Sequence, residues 1–454
     1  MTNMAGLITP PAHPIHRKPL PRWRLLAATL RNPLTAYSED SFTLRSGRVR
    51  MLGRSTIAVN HPDGVKHVLT THASRYGRPV PAVRPLRWMM GNGLFLAEGE
   101  DWRRQRKMLA PLFGPAHVGE LLPHFIGAGE ALLARLERRS EANLTAEFNQ
   151  ATLDAVLRAL FSSPADTAGQ DIARLTRLFL QGPGRPTLSD VIARREGDFA
   201  FLSRSRRRFQ ADWHQAIDTF IRLRQEGSGG SQPGRDLLDI LLAARHPESG
   251  TALSAEEVRD QTATMLLAGF ETTARLLSWA VYLLALDQRE QAALREEVAA
   301  FPPEEVGSLQ DLKAWPRLKC VLLEALRLYP PIPQLVRQAL QADEVLGERV
   351  EPGDFIWISA WTLHRHRDHW DHPDAFLPQR FEGQAQPWTH GAFIPFGSGP
   401  RICIGASFAM AEAQILLATL LHRYRIDLVD QRPVLPIGLI TTLQSHEPRF
   451  SLTP

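Results

Sequence analysis

Cysteine is nearly absent from this chain: 454 residues hold two, Cys320 and Cys403. Two thiols cannot build a disulfide framework, and so low a count fits a reducing compartment, so the expected location is the cytoplasm. Long apolar runs are lacking as well. The opening MTNMAGLITPPAHPIHRKPLPRWRLLAATL is broken by prolines and basic residues and has no stretch of about 20 apolar residues, so neither a membrane anchor nor an export signal is expected. There are no internal repeats, no low-complexity tracts and no recognisable nucleic-acid module. Acidic residues are the minority charge, with 48 Asp and Glu against 53 Lys and Arg for a net +5. The densest basic run, Arg204 to Arg208 (RSRRR), has no interleaved aromatics and reads as a solvated helix face rather than a nucleic-acid surface. The surplus cation charge suits docking of an acidic redox protein.

What is present is the material of a large core, 44% hydrophobic and 22% charged, an ordinary globular balance. The one flexible-looking stretch, GSGGSQPG within residues 226–236, lies between helical patterns. Residues 1–454 therefore read as a single domain with a surface loop there and a proline-rich segment over 1–40. GRVRMLGRSTIAVNHPDG alternates like a strand pair turning at Leu52-Gly53, before His61-Pro62-Asp63 opens a helix. From Trp102 to about Leu223 the patterns are mostly helical, interrupted near Gly182-Pro183-Gly184. Ser254-Ala255-Glu256-Glu257 is a capping box, and apolar residues at helical spacing from Val258 to Leu286 then predict one unusually long, buried helix. Another helix is expected over Trp315 to Tyr329, stopped by Pro330-Pro331, and a strand in DFIWISAW from Asp354 to Trp361. The expected class is mainly α with a small β part.

Cys403 stands in an unusual place. Residues 396–405 read FGSGPRICIG and run into ASFAMAEAQILLATLL, an apolar helical pattern. A thiolate is a good nucleophile and a soft metal ligand, and amides at a helix start stabilise it. Gly405 permits close backbone approach at that point. Two chemistries fit: nucleophilic catalysis with a histidine base nearby in space, or ligation of a metal or haem. Cys320, within the helical LKCVLLEAL, reads as a small buried hydrophobe. The pattern Phe396-x-x-Gly399-x-Arg401-x-Cys403-x-Gly405 fixes five residue types, a chance match in roughly one chain in ten thousand.

This stretch resembles the haem-binding loop of the cytochrome P-450 family. The resemblance implies haem b as cofactor and Cys403 as the axial thiolate ligand of its iron. It further implies that Phe396 packs beside the sulfur, that Gly405 lets the helix cross close under the porphyrin, and that amides after Cys403 tune the thiolate. The implied fold is a triangular prism of helices with a long central helix over the haem.

Further motifs follow in the family's order. Gly99 to Arg106 (GEDWRRQR) is similar to the W-x-x-x-R helix, implying that Trp102 and Arg106 bind a haem propionate, with Arg401 and Arg337 as further donors. The long helix carries Ala268-Gly269-Phe270-Glu271-Thr272-Thr273. An acid and hydroxyls inside an apolar helix cost free energy unless satisfied, and glycine weakens the helix, so such a violation marks function. The segment is similar to the family's oxygen-activating motif. By that resemblance Thr272 hydrogen-bonds dioxygen or its water, Glu271 helps relay two protons, and Gly269 leaves room for oxygen.

Glu324-Ala325-Leu326-Arg327 sets an acid and a base one helical turn apart. Followed by Leu328-Tyr329-Pro330-Pro331 and later Pro378-Gln379-Arg380-Phe381, it looks like the family's K helix and its loop partner. A Glu324, Arg327 and Arg380 network serving folding and haem incorporation is implied. The histidines of HRHRDHWDH, His364, His366, His369 and His372, have a superficial metal-cluster spacing. They fall where the family carries similar polar residues, and zinc is not expected there.

Thiolate haem with an acid and threonine pair implies monooxygenation with O2: one oxygen atom leaves as water and the other enters a C–H bond or double bond. No flavin or iron–sulfur sequence follows Pro454, so electrons are expected from separate proteins, an acidic ferredoxin and an NAD(P)H-dependent reductase of the soluble bacterial kind. Position relative to the motifs places Trp88, Met89, Met90, Leu94, Phe95, Met265, Ala268, Ile332, Leu335, Val336, Leu439 and Ile440 around the pocket. That set is apolar and implies a hydrophobic small molecule such as a terpenoid, a steroid-like compound or a fatty acid. Arg78, Arg84 and Arg87 precede it and offer anchors for a substrate carboxylate. The rival assignments are a peroxide-driven peroxygenase, a haem-thiolate isomerase and, from another class, a non-catalytic haem sensor. Glu271-Thr272 argues against the first two, and the lack of a signalling or DNA-binding pattern against the third.

Overall fold

The structure, a computed structural model, describes residues 7–51, 54–161, 171–172, 174–176, 178–179, 182–184, 187–198, 204–227, 236–246, 250–383, 391–438, 442–444 and 446–454. The strand turn expected at Leu52-Gly53 and most of the expected loop at 226–236 lie outside the described residues.

Ser254 starts the long helix as its spacing predicts. Its hydroxyl accepts the Glu257 amide at 3.2 Å while the Glu257 carboxylate accepts the Ser254 amide at 2.9 Å, satisfying two donors that a helix start leaves unpaired. The helix begins at Ala255, ahead of the expected Val258, and runs 32 residues to Leu286, about 48 Å at 1.5 Å per residue. Every residue from Leu276 to Leu284 is buried. A helix apolar on all sides belongs in the core, and Leu144–Phe161, Pro316–Leu328 and Ala406–Arg423 all pack against it. It stops at Asp287, whose carboxylate turns to cap the next helix, Gln288–Ala300, by accepting the Glu290 amide at 3.1 Å.

The β part is small, as expected. Ser46–Met51 pairs antiparallel with Arg54–Val59, which lies parallel to Phe355–Ser359; that strand pairs antiparallel with Gln334–Ala339, and Tyr76–Gly77 completes a five-stranded sheet. Burial alternates along Arg54–Val59, so Ile57 and Val59 join Ile356 and Ile358 in an apolar cluster of their own. The larger cluster is helical and surrounds the long helix.

One expectation about charge needs correction. The run Arg204–Arg208 opens the helix Arg204–Gly227, but it is not a wholly solvated face. Arg206 is buried and holds Asp190, on the short helix Leu188–Ile192, through both terminal nitrogens at 2.7 Å. Helical periodicity turns this one arginine of the run inward. Among the described residues no helix is long and apolar enough to cross a membrane.

Candidate functional site

The chain dictates the shape of the cysteine loop before any cofactor is considered. Gly397 and Gly399 have φ of 77° and 72°, a region that glycine enters without penalty. A Cβ on Gly399 would stand 1.8 Å from the Leu69 carbonyl oxygen, so the loop lies against backbone at that point. The Cys403 amide donates to Phe396 O at 2.8 Å and closes the loop beneath the helix Ala406–Arg423. Gly405, by contrast, has an ordinary φ of −90°, and a Cβ there would meet only Phe113 at 3.9 Å. The protein's own atoms thus require glycine at 399 and not at 405.

Cys403 keeps accessible surface although it lies deep among the protein's atoms. Burial pushes its thiol up, opposed by the Gly405 amide and the charge of Arg106. The same contrast recurs on the long helix. Met265 to Leu267 and Thr273 to Ala274 are buried, yet Ala268 between them is exposed and Thr272 half-buried. The core helix is therefore left partly uncovered midway along its length.

Cations gather at the edge of this region. Arg78, Arg337 and Arg401 are mutually close enough to disfavour one another's charge, and Glu98 is the acid that offsets them. Burial and the Arg401 and Arg337 charges bring Arg78 down to about 9. Burial and Arg401 bring Arg337 down to about 10. Arg401 donates to Ala97 O at 3.0 Å, pairs with Glu98 and lies over the Trp102 ring at 4.5 Å. Arg78 lies over Phe95 at 4.7 Å, is 3.9 Å from Glu98, and has a buried Nη1 with no partner. Three guanidinium groups around one carboxylate, with a donor left over, call for further anionic charge. Arg78 therefore belongs to this cluster, and nothing in its local sequence signals this.

On the long helix Thr272 donates to Ala268 O at 2.9 Å and Thr273 to Gly269 O at 3.2 Å. Glu271 is buried and pairs at 2.8 Å with Arg275, one turn on, a partner legible in the sequence spacing and overlooked there. Gly269 calls for a correction. A Cβ on it would sit 3.0 Å from Val156 Cγ2 of the helix Leu144–Phe161, so the space it leaves is taken by a neighbouring helix.

Glu324, Arg327 and Arg380 do come together. Arg327 grips Glu324 at 2.7 and 2.8 Å and Arg380 reaches it at 3.1 Å, with Glu324 and Arg327 fully buried. Among the described residues no three or more His, Cys, Asp or Glu side chains are grouped so that they could hold a metal ion. His364 instead accepts the Ile394 amide at 2.9 Å in the core. Burial, with the Arg327 charge, brings its pKa down to about 3, so it stays neutral in the fold while an unfolded histidine protonates near 6.5. The unfolded chain then binds the extra proton, and stability is lost as pH falls from 6.5 toward 3. Between pH 7 and 5 His364 should account for about 2 kcal/mol of lost stability. Denaturant unfolding of wild type and His364→Asn at both pH values checks this; an equal loss in the variant would refute it.

Of the expected pocket residues, Trp88, Phe95, Ala268, Ile332, Leu335 and Val336 carry accessible surface. Met89, Met90, Leu94 and Met265 are instead buried in the core, and the Met89 carbonyl accepts the Trp213 indole at 2.8 Å. Leu439 and Ile440 lie outside the described residues.

An accessible thiol deep in the fold, a partly open patch on a core helix and a cation-rich edge short of anionic charge define a cofactor site in a mainly α protein. Comparison with known proteins says which cofactor. Residues 46–453 match the cytochrome P450 family. Cyclooctatin synthase of Streptomyces melanosporofaciens is 32% identical over 81% of this chain and 79% of its own length. Cyclooctat-9-en-7-ol 5-monooxygenase from the same organism is 31% identical over 75% and 74%. The crystal structure of the cytochrome P450DA heme domain aligns with TM-score 0.80 and 25% identity, covering 98% of this chain and 97% of that one. The chain belongs to the cytochrome P450 family and is a monooxygenase whose cofactor is haem b. Haem b carries two propionates, which fits the surplus of two cations left once Glu98 offsets one of Arg78, Arg337 and Arg401.

Proposed function

We propose that this single-domain P450 hydroxylates or epoxidises a hydrophobic small molecule, drawing electrons from a separate acidic ferredoxin and its NAD(P)H-dependent reductase. The observation that carries the reading is Cys403, accessible though deep in the fold, on a loop held under a helix start. Cys403 would hold the haem iron through its thiolate, with the Gly405 amide steadying that charge. Trp102, Arg106, Arg337 and Arg401 would hold the propionates, joined by Arg78. Haem b supplies the chemistry that splits O2 and oxidises the substrate.

The remaining steps fall to side chains. Thr272 Oγ1 would give up its bond to Ala268 O to donate to the oxygen substrate, and Glu271 would release Arg275 to hold a proton on its carboxylate. Trp88, Phe95, Ala268, Ile332, Leu335 and Val336 would line an apolar seat. A terpenoid is supported by the relative whose name makes it the 5-monooxygenase of cyclooctat-9-en-7-ol. The net charge of +5 and exposed Arg103 and Lys107, on the helix that also carries Trp102 and Arg106, support an acidic electron donor. The scarcity of cysteine supports a cytoplasmic setting.

The decisive measurement is the absorption spectrum of the ferrous protein with carbon monoxide. A strongly red-shifted Soret band in wild type, lost in Cys403→Ser, is expected. An unshifted band in wild type, or one unchanged in the variant, would overturn the assignment.

A further inference from the structure

We propose that Arg84, with Trp88 one turn further along the helix Val80–Met90, is the seat of a carboxylate carried by the substrate, which makes that substrate an apolar acid. This rests on the monooxygenase reading and narrows its substrate class.

Three arginines near this helix were candidates for such a role, and the structure separates them. Arg78 belongs to the cluster with Arg337 and Arg401. Arg87 is occupied: Nε and Nη2 each lie 2.9 Å from Glu196, and Nη1 donates to Gly91 O and Asn92 Oδ1. Arg84 is 2% exposed. Its Nη1 donates to Ser189 O at 3.1 Å and lies 3.5 Å from Asp190. Nε and Nη2 are buried and have no partner.

Asp190 does not supply the missing acceptor. Its carboxylate already takes both terminal nitrogens of Arg206 at 2.7 Å and the Thr187 amide and hydroxyl at 2.8 and 2.7 Å. Asp198 feels the field of Arg84, but its oxygen accepts the Arg194 and Arg195 amides. Neither carboxylate accepts from Nε or Nη2, so that edge of a buried guanidinium is left without an acceptor.

The free edge has a specific shape. Nε and Nη2 of a guanidinium point two parallel N–H bonds in one direction, a fork that matches the two oxygens of a carboxylate. This protein uses that edge repeatedly: Arg87 on Glu196, Arg317 on Glu290 and Arg327 on Glu324 each engage both oxygens through Nε and Nη2. Arg84 presents the same fork, buried and empty. The Trp88 indole N–H, at i+4 on the same helix face, is a further buried donor without an acceptor. Trp88 also carries accessible surface beside the expected pocket, so an acid with its tail there could set its head on the fork after displacing the side chains that cover it. Unpaired donors in the interior are costly until an acceptor arrives, so binding should discriminate strongly for the anion.

The test titrates the haem-loaded protein with a panel of saturated and polycyclic carboxylic acids, each paired with its primary alcohol, and reads the spin-state shift of the Soret band. At least one acid is expected to bind about tenfold or more tightly than its alcohol, and Arg84→Gln should abolish that preference while leaving alcohol binding intact. No acid preference anywhere in the wild-type panel would overturn the proposal, and that result needs no variant. Equal weakening of acid and alcohol by Arg84→Gln would also overturn it, since it would mark a mere tie between helices. Failure of the monooxygenase reading is seen separately, in the carbon monoxide spectrum.

Discussion

Replacing Arg327 by alanine should leave little folded protein. The side chain is fully buried, and every part of its guanidinium is engaged: Glu324 through Nε and Nη2, His364 O and Pro373 O through Nη1 at 2.8 and 2.6 Å, and Ala375 O at 3.0 Å. It thus fastens the helix Pro316–Leu328 to the segment that leads toward the cysteine loop. Glu324 depends on it in turn, since the same carboxylate orders the Leu377 amide at 2.9 Å and Arg380 at 3.1 Å. Truncation leaves a buried carboxylate short of its main cation, costing about 3–5 kcal/mol, and three carbonyls unpaired, at about 1 kcal/mol or more each. Total stability is typically about 5–15 kcal/mol, so the loss approaches the whole. Soluble yield and the urea midpoint measure it; a variant with a wild-type midpoint would show that the network is dispensable.

Gly399→Ala should produce a different failure. The new Cβ would meet Leu69 O at 1.8 Å, and the residue would be held at φ 72°, a conformation that costs about 1–2 kcal/mol for an L side chain. Backbone on both sides has to move, and Cys403 sits on the displaced loop. The helical core is remote from this clash, so far-UV circular dichroism should remain close to wild type while haem content and the red-shifted carbon monoxide band fall severalfold. Gly405→Ala, which meets nothing closer than 3.9 Å within the chain, isolates any demand made by the cofactor itself. Full haem content and spectrum in Gly399→Ala would refute the steric account.

The features legible without coordinates share one property: their signals are short in range. The capping box at Ser254, the apolar period of the long helix, Pro330 just past the end of the helix Pro316–Leu328, the glycines of the cysteine loop and the i, i+3 spacing of Glu324 and Arg327 all involve residues within a turn or two of each other. Backbone sterics, hydrogen-bond geometry and helical periodicity act over that distance, so sequence alone determined the mainly α class, the central helix and the position of Cys403. Partnerships between distant segments were decided by the tertiary structure. Packing of two helices put Val156 into the gap at Gly269, chain reversal brought Arg78 to Arg337 and Arg401, and the short helix carrying Asp190 supplied the partner for the inward-facing Arg206. Which arginine is paired and which is left with a free fork depends on what the rest of the chain brings within about 3 Å, a contact that side-chain type and local spacing do not specify.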